Sequence, residues 1–157
     1  MDGFLNWVGH TPFSLMLQTQ AWMIPTIQSI HILAVALVFT SAAVLDLRLL
    51  GVLNAQARLP ALVHRFAPWI GWGVLLLAVT GLLNMVAEPT RALLNHWFQL
   101  KMLALAIVCA LTWGLAAQIK TRPGAWDRAP LQAKVLAILS LALWAFIVTA
   151  GRWIAYT

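Results

Sequence analysis

Apolar residues gather along the chain into four long runs, at 22–50, 66–87, 97–119 and 135–153, each with at most one charge in its middle. A bilayer core about 30 Å thick is crossed by ~20 apolar helical residues, and every run is of that order. Helices that bury one face in a soluble protein keep a polar stripe, which these runs lack. The pattern predicts an all-α integral membrane protein, a four-transmembrane-helix bundle with spans at 22–50, 66–88, 92–119 and 132–154. Residues 1–21 read differently: Phe4, Leu5, Trp7, Phe13 and Leu15 alternate with polar positions, and Pro12 interrupts them. That segment is expected as a short N-terminal interfacial helix with Trp7 at headgroup depth.

Local breakers set the connections. Pro25 suits the first turn of the first span. Residues 51–60 form a polar connection carrying Asn54, Gln56 and Arg58, and the second span closes near Glu88 and Pro89. A proline there can open the third helix. Residues 121–130 make the clearest loop, with Pro123, Gly124, Asp127 and Pro130. One membrane domain over 1–157 is expected, with no short internal repeat.

Hydrophobic residues at 62% and charged residues at 9% exclude an ordinary soluble domain, where about a quarter is charged. The net charge of +6 suggests nucleic acid at first sight, but the basic residues lie at span ends and in connections. Arg48, Arg58, Arg65, Lys120, Arg122, Arg128 and Lys134 fall on one side, against Arg91 and Arg152 on the other. That bias predicts both basic connections in the cytoplasm and the N- and C-termini outside. Trp7, Trp22, Trp97 and Trp153 then mark the outer interface, and Trp69, Trp72 and Trp126 the inner one. Cys109 is the single cysteine, which excludes an intramolecular disulfide and a cysteine metal cluster. The first twenty residues hold no Lys or Arg and no unbroken apolar core, so no cleavable signal peptide is expected. Phosphate-cradling loops, a His-Glu-x-x-His helix and a nucleophile elbow are absent from the sequence.

A few polar residues inside the spans call for partners. His31 lies ~10–13 Å below the outer surface at 1.5 Å per residue. At that depth an ionisable side chain faces the bundle, and a neutral imidazole serves as a metal ligand, a proton acceptor or a hydrogen-bonding group. Gln28, Ala34, Val35, Val38 and Ala42 share its stripe. Lys101 sits four or five residues inside the third span, where it either snorkels outward or meets an anion such as Glu88 or a ligand carboxylate. Arg152 at the outer end of the fourth span suits a carboxylate equally. The acids expected on this side are only Asp2 and Glu88, so cations beside a histidine suggest an anionic ligand. His96 is a candidate second ligand, although five residues place it ~140° around the helix from Lys101. His64 is expected at the inner interface, and His10 is a reserve ligand in the N-terminal segment. Asp46 and Arg48 are read as capping and orienting the inner end of the first span, and Gly71, Gly73 and Gly81 as permitting close helix packing.

Ser29-Ile-His31, Asp46-Leu-Arg48-Leu-Leu-Gly51, Ala67-Pro-Trp69, Thr80-Gly81, Asn95-x-x-Phe98-x-x-Lys101 and Gly151-Arg152-Trp153 run through nearly the whole chain. In these motifs it resembles a group of uncharacterised bacterial four-helix membrane proteins. More distantly it is similar to the HemJ-type protoporphyrinogen oxidases and to the CopD copper-resistance membrane domain. The shared features are an early-span histidine, an arginine at that span's far end, and Trp97 four residues before Lys101. The chain departs from the HemJ-type pattern at Leu111-Thr112-Trp113, where a second histidine is missing, and it lacks an Asn-Glu-x-Pro stretch. Protoporphyrinogen oxidation is therefore not carried over, and no soft Met/His cluster for Cu(I) is present.

The HemJ-type resemblance implies a b-type haem. The expected arrangement has His31 and His96 as axial ligands, Lys101 and Arg152 on the propionates, and electron transfer with a quinone and a periplasmic redox partner. Two other readings stay open. One is a non-redox carrier or binding module for an anionic lipid-soluble ligand, working as a homodimer; the other is an accessory membrane subunit whose polar residues only lock helices together.

Overall fold

The computed structural model describes residues 2–53, 58–89, 93–121 and 130–154. Two short helices, α1 (Asp2–Gly9) and α2 (Pro12–Thr19), precede four long ones, α3 (Met23–Leu49), α4 (Leu59–Ala87), α5 (His96–Thr121) and α6 (Leu131–Trp153). All four long helices have the length and apolarity to cross a membrane. The protein is an all-α, four-span membrane bundle. The predicted contents of 54–57, 90–92 and 122–129, including Asn54, Gln56, Arg91, Arg122, Trp126, Asp127 and Arg128, lie outside the described residues.

The N-terminal helix is broken in two. Thr11 caps α2, its hydroxyl accepting from the Ser14 N–H at 3.3 Å, and Pro12 takes the first helical position, where no N–H is needed. This segment is docked on the bundle: Ser14 Oγ donates to the Val86 carbonyl at 2.8 Å, and Gln18 Nε2 to the Ala87 carbonyl at 2.9 Å. Those are last-turn carbonyls of α4, which have no partner inside their own helix.

Pro25 does fall in the first turn of α3. The other end closes in a Schellman motif, with Gly51 N–H to the Arg48 carbonyl and Val52 N–H to the Leu47 carbonyl, both at 3.0 Å. Gly51 supplies the left-handed residue at φ +78°. The second span begins at Leu59, seven residues earlier than its apolar run. Leu59, Leu62 and Val63 are buried there while His64 and Arg65 face outward, so this first stretch is amphipathic. α5 opens at His96, where the Asn95 side chain accepts from the Trp97 N–H at 2.8 Å.

α3 packs most extensively on α4, α5 on α6, and α3 on α6 joins the two hairpins, while α4 touches α5 only sparingly. The core runs along one ridge of α3, at Ala34, Val38, Ala42 and Leu45, and is filled by Trp144 of α6, which is 1% exposed. Gly73 lets α4 approach that ridge, because a Cβ there would overlap Val38 Cγ2. Gly71 has open space around it, so only part of the predicted glycine packing is used. Trp22, Trp69, Trp72 and Trp153 are exposed on the bundle surface, as a belt requires.

Candidate functional site

His31 is carried on the inward stripe of α3, one turn before buried Ala34; Gln28, read from the sequence as part of that stripe, is exposed. Its Nδ1 lies 2.7 Å from Thr80 Oγ1 on α4. The Thr80 hydroxyl donates to the Leu76 carbonyl at 2.7 Å, so its oxygen is left to accept. The hydrogen-bond network thus assigns the proton to His31 Nδ1 and a free lone pair to Nε2. An acceptor behind Nδ1–H is how proteins orient imidazoles that bind metals.

Two glycines leave room beside the charged groups. A Cβ on Gly81 would stand 3.6 Å from His31 Cε1, and one on Gly151 of α6 would stand 3.5 Å from Lys101 Nζ. Lys101, half-buried on α5, is near enough to His31 to act on its charge. All four spans therefore contribute at the end of the bundle that carries the termini: His31 from α3, Thr80 and Gly81 from α4, Lys101 from α5, Gly151 from α6. Chemically this is one oriented nitrogen lone pair with a fixed cation, in apolar surroundings. It suits a ligand with an electrophilic centre or donor and an anionic group.

The other predicted residues stand further out. His96 is exposed at the first position of α5, and no described contact joins it to His31. Arg152 is exposed in the last turn of α6, beside Trp153. Trp153 stacks on Trp97 at 6.0 Å with planes 22° apart, which ties the start of α5 to the end of α6 one turn above Lys101. Glu88 is exposed at the cap of α4, and His64 is exposed near its start. His10 Nδ1 is held 2.7 Å from the Asn6 carbonyl. Among the described residues no three His, Cys, Asp or Glu side chains converge as a metal cluster would need.

A second polar place lies at the opposite, basic end. Asp46 is 5% exposed, and its Oδ2 has no hydrogen-bond partner among the described residues. It borders a cavity of about 20 Å³ that is otherwise lined mainly by apolar side chains, with Thr112 and Ser140 as the hydroxyl-bearing exceptions. Asp46 was expected to cap the helix, yet it faces the core. The signal for this was in the spacing: Ala34, Val38, Ala42 and Asp46 follow one another at four-residue steps on the buried ridge. Thr80 was not singled out for its side chain either, because a threonine inside a helix ordinarily satisfies itself on its own backbone.

No curated protein and no solved structure matches the chain. The sequence profile of a family of unknown function, DUF6644, matches residues 4–157, and the protein belongs to that family.

Proposed function

We propose that the protein is a small b-type haem protein of membrane electron transfer, with the cofactor held at the end of the bundle that carries the termini. The observation that supports this reading most is the His31–Thr80 hydrogen bond, which occupies Nδ1 and leaves Nε2 as the ligand-competent nitrogen. The residues present fit such a group in part: His31 would hold the iron and the Lys101 ammonium a propionate, with Gly81 beside the His31 ring and Gly151 beside the ammonium. In this reading His96 would also hold the iron and Arg152 would pair with the other propionate. Bound haem b would supply a one-electron couple, and two imidazoles would leave it no open coordination position. Thr80 keeps the His31 ring in one tautomer, and Lys101 and Arg152 neutralise carboxylates. The expected neighbours are a quinone in the lipid and a periplasmic redox protein, in a bacterial inner membrane. A reduced-minus-oxidised spectrum of protein purified from haem-supplied cells tests this, with a pyridine haemochrome count. One haem per chain that is lost in His31→Ala is expected; a colourless protein that stays colourless on haem addition overturns it.

The sparse contact between α4 and α5 favours a second reading, a non-redox binding module or carrier for an anionic lipid-soluble ligand. In this reading the ligand would enter laterally from the bilayer along that seam, without requiring His96 to turn inward. Lys101 would then hold the ligand's anion and His31 accept a hydrogen bond from it. A colourless protein that copurifies with an acidic lipid-soluble compound, lost in Lys101→Met, is the result this reading expects.

A further inference from the structure

The groups around Asp46 form a site of their own, well separated along the bundle from His31. Asp46 follows His31 by fifteen positions on α3, or ~22 Å at 1.5 Å per residue. The Asp46 carboxyl is buried, Oδ2 lacks a partner, and the cavity beside it is about 20 Å³. That is room for one water molecule, which needs polar partners to stay in an apolar interior. The lining includes Asp46 from α3, Thr112 from α5 and Ser140 from α6, the last of which already acts on the Asp46 carboxyl. From α4 only the apolar Leu59 and Val63 face the space. Among the described residues Asp46 is thus the one ionisable group lining it; buried Arg48 lies two residues along the same helix, ~160° away around its axis. An unpaired carboxyl oxygen in such surroundings is costly unless something else occupies its lone pair.

We propose that this cavity binds a single water molecule and that through it Asp46 exchanges a proton with the basic end of the bundle. In uptake, an O–H bond of a hydronium ion breaks as the Oδ2–H bond forms, leaving neutral water in the cavity and a neutral carboxyl. Release is the reverse. Ser140 and Thr112 hold the water and orient it; neither changes charge. The site is independent of what is bound near His31, and it stands whether or not that ligand is haem.

Infrared difference spectroscopy of the full chain in lipid, stepped through pH, reads the carboxylic-acid C=O stretch directly. The expected result is a band that grows as pH falls, shifts in deuterated water and is missing in Asp46→Asn. Ala116 lines the same cavity, and Ala116→Val fills it while keeping the carboxyl. In that variant the band should respond to a pH step at least ten-fold more slowly than in the native chain. Three results would overturn the proposal: no titrating band, a band unchanged in Asp46→Asn, or native response rates in Ala116→Val. Should Asp46→Asn fail to fold, the native chain and Ala116→Val still decide the question.

Discussion

His31 Nδ1 and Thr80 Oγ1, forty-nine residues apart in sequence, meet at 2.7 Å and join α3 to α4 inside the bundle. Because the Thr80 hydroxyl is already spent on Leu76, the contact has one polarity only, from imidazole to hydroxyl oxygen. Thr80→Val keeps the shape and removes the acceptor. The variant should lose about 1 kcal/mol of stability, the ordinary net worth of one hydrogen bond. If His31 binds a metal-centred ligand, affinity should fall by roughly 10–100-fold, since the ring is no longer oriented. Thr80→Ser should restore both. Thermal melts and a ligand titration on the same samples check this. Unchanged binding in the valine variant would mean that the imidazole needs no orienting.

Lys101 predicts an effect of the opposite sign. No carboxylate among the described residues pairs with it, and its ammonium reaches the backbone of α6 at Gly151. A lysine inside a span costs about 2.5–3.5 kcal/mol at the bilayer centre and less toward the surface. Lys101→Met should therefore stabilise the ligand-free bundle, by about 1 kcal/mol at this depth. It should at the same time abolish retention of an anionic ligand. A variant that is destabilised and still retains ligand would show that the lysine serves packing. Unfolding in mixed detergent, followed by circular dichroism with and without ligand, separates the cases.

Gly73 of α4 lies against Val38 of α3, so near that a Cβ on the glycine would overlap Val38 Cγ2. Between spans the gain comes from van der Waals packing of small against branched side chains. Gly73→Ala should force the helices apart and cost about 1–3 kcal/mol, as overpacked cores do. Val38→Ala alone leaves a void and is also destabilising. Combined, the two changes should cost less than their sum, with a coupling of at least about 0.5 kcal/mol. A strictly additive pair would mean the two helices are free to slide past each other.

The spans were legible because a membrane helix needs only length and apolarity, and all four runs have both. The start of α4 was not, for a physical reason. Pro60, His64 and Arg65 lower the hydropathy of 59–65, yet proline is welcome in a first turn and the two charged-type residues face outward while Leu59, Leu62 and Val63 pack inward. A stretch buried on one face carries a period, not a high mean. His31 and Lys101 stood out because ionisable groups inside a span are rare. Asp46 stands next to Arg48 at the span end, where capping is the simple expectation, although its four-residue step from Ala42 puts it on the core ridge. Thr80 lay out of reach, since only the fold shows which backbone-bonded threonine meets a histidine from another helix.

The docking of α2 on the end of α4 bears on the seam beside the candidate site, because it fixes the last turn of one of the two helices that border that seam. Ser14 is fully buried, and with Gln18 it satisfies the carbonyls of Val86 and Ala87, which α4 leaves free at its end. Removing both side chains in Ser14→Ala with Gln18→Ala strips those carbonyls of partners and should cost about 1 kcal/mol per bond. Most of that loss should be local, because the spans keep their own packing. Amide exchange, read by mass spectrometry in lipid, should accelerate at least ten-fold across residues 12–19 and the last turn of α4. The middle of α3 and α6, around Val38 and Trp144, should keep its native protection. Acceleration spread evenly over all four spans would instead make α2 part of the cooperative core. No acceleration would mean that buried Leu17 alone holds the segment in place.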